Sequence, residues 1–253
     1  MRTRLIFYLL LLPILALTWG CQRTEEGQAE LFYEYGPPPT IWLNKAGRNL
    51  MAEQASLLDA DIYDEIISNA NQALEVDPNP TDSIFYEGLV SNNPRRLDMR
   101  QHFRDITNLV YLINAYVLTN KQAYAEQTMA IAVAWAKKYK PTGNDVNENK
   151  LRDFFYAFDI HRDTFSDEDR ILVEDWLKLM ASKQIAHWDI EIGSSNRHAK
   201  RMKIILMAGI TFDNQEYIDF AVQEIEKILD DSLYPDGTSR DLERRDAIHY
   251  HNS

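Results

Sequence analysis

Long stretches of the chain repeat apolar residues at the spacing of an α-helix, and short polar turns separate them. Residues 196–209 are an example, because Met202, Ile205 and Leu206 fall on one face at 3.6 residues per turn. The chain has 253 residues, 45% of them hydrophobic, with only 9 glycines and 9 prolines. This pattern predicts one all-α domain with enough apolar residues for a large core.

The amino terminus has the parts of a bacterial export signal. Residues 1–4 are basic, residues 5–17 are apolar, and Cys21, the only cysteine, follows Gly20. The apolar run is shorter than the roughly 20 residues that span a bilayer. We therefore predict a lipoprotein-type signal peptide at 1–20, lipidation of Cys21, a tether at 21–40 and a folded domain at 41–253. The expected location is the periplasm or cell surface, with the lipid as the only membrane contact.

Residues 235–252, close to the end of the sequence, combine cations with a tyrosine. Residues 235–237 read Pro-Asp-Gly, a turn signal, so a helix should begin near Ser239. On such a helix Arg240, Arg244 and His251 lie close together, and Tyr250 is about a quarter-turn from His251. Guanidinium groups bind carboxylates, and a tyrosine beside a cation has its phenolate form favoured. The alternative is a solvated helix whose arginines pair with neighbouring acidic residues.

A second polar cluster lies upstream. Asn196, Arg197 and His198 follow a Gly-Ser-Ser break and occupy a predicted helix N-terminus, where backbone N–H groups and the helix dipole favour anionic ligands. The alternative for His198 is a hydrogen-bonded structural histidine, and Trp188 is more often a core residue than a platform for a sugar ring.

These two clusters, in this order, resemble the alginate lyase superfamily of polysaccharide lyases. The most specific part is the segment E-R-R-D-A-x-H-Y-H-N at 243–252, after the Pro-Asp-Gly turn. Residues 97–139 and 142–180 are similar to the family's early helical hairpins, the first of which is closed by a tryptophan. The resemblance implies an (α/α) toroid of antiparallel hairpins. It also leads us to expect that residues 41–253 form an incomplete, carboxy-terminally truncated toroid.

The resemblance implies cleavage of a uronate polymer by β-elimination. Asn196 and Arg244 would neutralise the uronate carboxylate, while Tyr250 and His198 would transfer protons. Two departures from the best-known family pattern stand out: Arg197 separates Asn196 from His198, and Arg245 competes with Arg244 as the equivalent arginine. The terminal segment is closer to a sister branch acting on glucuronan or alginate, so alginate is the first candidate substrate and glucuronan the second. Candidate substrate-binding residues are Arg245, Arg197, Arg240, His251, Trp188 and Asn149.

Charge narrows the possible partners. The formal net charge is −12, so binding of an anionic polysaccharide requires a local positive cleft, and nucleic acid is not an expected partner. We predict no cofactor and no metal site, because no phosphate-binding glycine loop or Cys/His set is present. Asn149 belongs to an asparagine-rich loop whose alternative role is helix capping.

Two functions outside the lyase class remain open at this level. One is a non-catalytic glycan-binding lipoprotein with a helical scaffold. The other is an α/α-toroid glycoside hydrolase, for which the acidic pairs two residues apart are poorly placed, because such neighbours on a helix point apart.

Overall fold

The regular structure in a computed structural model of the protein, which describes residues 40–188 and 196–238, is helical. This confirms the predicted all-α class for the described segments. The predictions for residues 1–39, including the signal peptide, Cys21 and most of the tether, lie outside them. In chain order the helices are α1 Lys45–Glu53, α2 Ala60–Leu74, α3 Pro94–Thr119, α4 Gln122–Lys138, α5 Asp145–Glu148, α6 Asp153–His161, α7 Asp167–Ala186, α8 Asn196–Thr211 and α9 Gln215–Ser232, with 3-10 turns at Ala55–Leu57 and Asn149–Leu151.

The longer helices alternate between two layers along the chain. Helices α3, α6 and α8 pack side by side in one layer, and α2, α4 and α7 do so in the other. Consecutive helices pack on one another across the layers, as in α2 with α3, α3 with α4, α7 with α8, and α8 with α9. None of the described helices is long and apolar enough to cross a bilayer.

Local signals in the sequence explain where the long helices begin and end. Asn93 caps α3 by accepting from the Arg95 N–H at 3.0 Å, and proline occupies the first helical position. At the other end Asn120 adopts a left-handed conformation, with φ of 54°, and its N–H donates to the Tyr116 carbonyl at 2.7 Å. Because α4 begins only two residues later, α3 and α4 form an antiparallel hairpin.

Aromatic side chains fill the space between the layers. Trp135 and Phe154 are fully buried with ring centroids 5.5 Å apart, and Trp176 lies edge-on to Phe154 at 5.1 Å. The Trp135 indole N–H donates to the buried Asp105 carboxylate at 2.7 Å. Burial raises the pKa of Asp105, while the hydrogen bonds from Trp135 and from a backbone N–H act in the opposite direction. The predicted first hairpin, closed by a tryptophan in its second helix, is therefore confirmed.

The predicted helix at 196–209 is also confirmed, but its buried face was only partly predicted. Met202 and Leu206 are half-buried and do not lie at the centre of the buried face. Helix α8 is covered by both α7 and α9, and a Cβ at Gly209 would lie 2.8 Å from the Ile218 side chain of α9. Close packing on two sides shifts the buried set, which comprises His198, Arg201, Ile204, Ile205, Met207, Ala208, Gly209 and Thr211.

Candidate active site

The first three residues of α8 bring predicted catalytic side chains to one place. Asn196 and Arg197 are half-buried, whereas His198 is only 5% exposed. The N–H groups in the first turn of a helix have no partner within the helix and carry the positive end of its dipole. The start of α8 is therefore suited to an anionic group.

A buried carboxylate holds this helix start in place. The Arg197 Nε lies 3.0 and 3.1 Å from the two carboxylate oxygens of Asp145, and its Nη2 lies 2.7 Å from Oδ1. Nη2 also lies 3.0 Å from Glu87 Oε1. The hydrogen bonds to Asp145, with the charges of both carboxylates, raise the pKa of Arg197 despite partial burial. The guanidinium is thus engaged by protein groups, and its role in substrate binding stays a prediction.

One turn further along α8, Arg201 ties the same helix to the loop before α5. Its Nη1 donates to the Gly143 carbonyl at 2.7 Å and to Gln184 Oε1 at 3.1 Å, and its Nη2 lies 3.5 Å from Asp145. Gly143 has φ of 82°, and a Cβ there would lie 2.6 Å from a ring nitrogen of His187, so the loop requires glycine. Both guanidinium groups therefore lie beside the Asp145 carboxylate, which offsets part of the positive charge of these two arginines.

His198 is held by aromatic contacts. Its ring centroid lies 4.7 Å from that of Trp188, which in turn meets Phe220 edge-on at 5.2 Å. The Trp188 indole N–H donates to Glu224 at 3.1 Å. These contacts agree with the alternative view of Trp188 as a packing residue, and stacking on a sugar stays a prediction.

Two residues of the asparagine-rich loop, Asn144 and Asn147, form hydrogen bonds that cap a helix or hold the loop. Asn144 caps α5 by accepting from the Asn147 N–H at 2.8 Å, and Asn147 accepts from the Glu87 N–H at 3.0 Å. Asn149 differs, because its buried Oδ1 has no hydrogen-bond partner within the described residues. It lines a cavity of about 230 Å³ together with Lys150 and other residues.

A basic surface on α3 was missed by the sequence reasoning. Arg96, Arg100 and Arg104, with Lys150, line a neighbouring cavity of about 240 Å³. The arginines recur every four residues, which places them on one helix face, so their spacing was a usable signal.

A third cavity of about 290 Å³ lies towards the amino-terminal end of the described chain. Trp42 and Tyr156 line it with their rings 6.2 Å apart, and Asp153 lines both this cavity and the one beside Asn149. Burial raises the pKa of Asp153, and burial is also the main cause of the lowered pKa of Lys203.

The other predicted site residues, Tyr250, Arg244, Arg245, Arg240 and His251, lie outside the described residues. The turn that precedes them is confirmed: the Gly237 N–H donates to the Tyr234 carbonyl at 2.9 Å, and Gly237 has φ of 84°. Within the part of the chain that the structure describes, no three His, Cys, Asp or Glu side chains are grouped to hold a metal ion.

Helices that alternate between two packed layers define the class of the protein as an α/α toroid. The sequence profile named Alginate lyase matches residues 59–252, and the chain belongs to the alginate lyase family. A similar fold is found in the crystal structure of alginate lyase A1-III from Sphingomonas species A1, with a TM-score of 0.62 and 20% sequence identity. The match covers 81% of this chain and 65% of that one, so this chain spans less than two thirds of its length. No curated protein matches the sequence.

Proposed function

We propose that the protein is a polysaccharide lyase that cleaves a uronate polymer by β-elimination, with alginate as the first candidate substrate and glucuronan as the second. Membership of the alginate lyase family, with Asn196 and His198 at the start of α8, carries this proposal. The periplasm or cell surface, reached through a lipid on Cys21, remains the proposed location.

The first task in this reaction is to make the C5 proton acidic. An ionised carboxylate beside C5 resists loss of that proton, because negative charge develops next to negative charge. Donors aimed at the carboxylate offset this repulsion as the enolate-like charge forms. We assign this task to the Asn196 amide and the Arg244 guanidinium, assisted by the positive end of α8.

The second task is to move two protons. A base removes the C5 proton, the C–H electron pair forms the C4–C5 double bond, and the C4–O bond breaks. An acid then donates a proton to the departing oxygen. If the proton and the leaving group lie on the same face of the sugar, Tyr250 serves as both base and acid. If they lie on opposite faces, His198 is the base and Tyr250 is the acid.

The packing around His198 supports such a role. The ring is buried against Trp188, and the backbone that carries it is held by the Arg197–Asp145 pair one residue away. A ring that is fixed before substrate binds loses little freedom on reaching the transition state, which favours proton transfer in a defined direction.

The test is ultraviolet absorbance of the unsaturated uronide product, with polymannuronate, polyguluronate, glucuronan and hyaluronan assayed in parallel. We expect product from one of these polymers, and we expect Tyr250→Phe to lower kcat by about 10²–10⁴-fold. Tyr63→Phe, on α2, is the matched control and should leave kcat unchanged.

Two outcomes would contradict the proposal in different ways. Full turnover by Tyr250→Phe would refute the assigned proton transfer. Binding of a polymer without unsaturated product would refute lyase activity and favour the glycan-binding alternative.

A further inference from the structure

Two adjoining cavities on α3 form one basic groove. Phe103, Thr107 and Lys150 line both of them, so the first cavity, with Arg96, Arg100 and Arg104, continues into the second, with Asn149 and Arg152. We call these residues together the α3 groove. Among the described residues, the single carboxylate that lines it is that of Asp153, which pairs with Arg152 at 3.4 Å.

The remaining cations of the groove have no carboxylate partner in the part of the chain that the structure describes. Within the described residues, none of Arg96, Arg100, Arg104 and Lys150 forms an ion pair, in a chain that has 39 acidic residues against 27 basic ones. Cations that are concentrated in a cleft without counter-charges create a local positive potential on an otherwise acidic protein. This arrangement favours a ligand that supplies the negative charge.

Tyr86 gives the groove a defined shape. Its ring contacts both the Arg96 guanidinium, 4.3 Å from the ring centroid, and the Lys150 ammonium, at 4.8 Å. Phe103 meets the same ring edge-on at 5.7 Å, and Arg96 Nη2 donates to the tyrosine hydroxyl at 2.8 Å. The aromatic surface beside the cations suits a ligand with apolar faces as well as carboxylates, as sugar rings have.

Arg100 and Arg104 form the solvent-exposed end of the row of three arginines on α3. Both are exposed, whereas Arg96 is half-buried and committed to Tyr86 and to the Leu89 carbonyl. From Arg96 to Arg104 the helix rises about 12 Å at 1.5 Å per residue. One carboxylate cannot satisfy cations spread over that distance, but a polymer with a carboxylate on each unit can.

We propose that the α3 groove binds the carboxylates of uronate units that lie away from the bond being cleaved. The proposal rests on the proposed lyase function for the identity of the polymer. The groove adjoins the helix start at α8, because Glu87, the neighbour of Tyr86, accepts from Arg197 at 3.0 Å. Asn149, whose Oδ1 has no hydrogen-bond partner among the described residues, provides a further polar contact where the groove turns towards Asp153.

The test compares Arg100→Gln/Arg104→Gln with a control that removes the same charge elsewhere. Lys137→Gln/Lys138→Gln is matched, since both lysines are exposed and lie in the last turn of α4, in the other helix layer. Binding is measured by calorimetry in a Tyr250→Phe background, so that the polymer stays intact, with polymannuronate and glucuronan as probes. Each titration is repeated at low and high salt, because screening weakens contacts with exposed cations.

We expect the groove variant to bind the polymer about tenfold more weakly than the control at low salt, with a smaller loss at high salt. In the background with Tyr250 intact, KM for the polymer should rise and kcat should stay within about twofold, since the groove does not touch the reacting atoms.

The outcomes separate this proposal from the lyase proposal. Equal polymer affinity of the groove and control variants, or no polymer binding at all, would overturn the groove. Groove-dependent binding without unsaturated product would support the groove and refute lyase activity. Product formation with a KM that the groove variant leaves unchanged would support lyase activity and overturn the groove.

Discussion

Asp145→Asn is the substitution that most directly tests how the candidate active site is held. The carboxylate is fully buried and lies between two guanidinium groups, one from Arg197 at 2.7 Å and one from Arg201 at 3.5 Å. Asparagine keeps the size and one acceptor oxygen but removes the charge and the bidentate contact with Arg197. Arg201 retains its bonds to Gly143 and Gln184 but loses its counter-charge.

The expected loss in the free energy of unfolding follows from the burial of this ion pair. Removing one partner of a fully buried pair costs about 3–5 kcal/mol. The Arg197 side chain is 30% exposed, so solvent screens part of that loss, and the remaining acceptor of asparagine lowers it further. We expect a loss of about 2 kcal/mol in the free energy of unfolding, which corresponds to a fall in Tm of about 4–8 °C for a domain of this size.

Asp145→Asn should also affect catalysis, because it would displace the predicted catalytic side chains. Asp145 contacts Arg197, the residue between Asn196 and His198, so a shifted helix start would move both predicted catalytic groups. We expect kcat to fall by about 10–100-fold, with KM changed by less than about threefold, at a temperature where the variant is fully folded.

The assays are urea unfolding and polymer cleavage, with Asp175→Asn as the control. Asp175 is exposed on α7, and its substitution should change stability by less than about 0.5 kcal/mol. A double-mutant cycle with Arg197→Gln should give a coupling of about 1 kcal/mol or more. The reasoning is refuted if Asp145→Asn unfolds like the control, or if the cycle shows no coupling.

Three further predictions concern stability. Burial lowers the pKa of His161 to about 3, so the neutral ring stabilises the fold above its ordinary pKa of about 6.5, and this contribution is lost as the pH falls from there towards 3. His161→Phe should flatten the slope of unfolding free energy against pH between 4 and 6.5, by up to about 1.4 kcal/mol per pH unit, and an unchanged slope would contradict this. Trp135→Phe leaves the buried Asp105 without its indole donor and should cost about 1–3 kcal/mol in urea unfolding, whereas a neutral result would show that this hydrogen bond contributes nothing. Asn120→Ala should cost about 1 kcal/mol and Asn120→Gly almost nothing, because φ is 54°, and equal losses by thermal melting would exclude backbone strain as the cause.

Local signals were sufficient for much of the fold. The start of α8 at Asn196, the turn at residues 235–237 and the hairpin of α3 and α4 all follow from residues within a few positions of one another. Caps, turns and the helical period act over that range, so a single sequence carries them.

Because these signals act only between residues close in sequence, they did not reveal the basic surface on α3. Arg96, Arg100 and Arg104 share a face by spacing alone. Their significance depends on having no ion-pair partner among the described residues and on Lys150, which comes from another part of the chain. Sequence spacing shows which residues are neighbours on a helix, and it does not show what faces them across a cleft.

The sequence by itself determined the class of fold, the family and the placement of Asn196 and His198 at a helix start. Only the tertiary structure decided that Arg197 is held by Asp145, 52 residues away. It also decided that, among the described residues, the buried Asn149 oxygen has no hydrogen-bond partner, whereas Asn144 and Asn147 form hydrogen bonds within the loop and with Glu87. The physical reason is that helix formation depends on contacts within a turn, whereas pairing of buried charges depends on which distant segments the packed layers bring together.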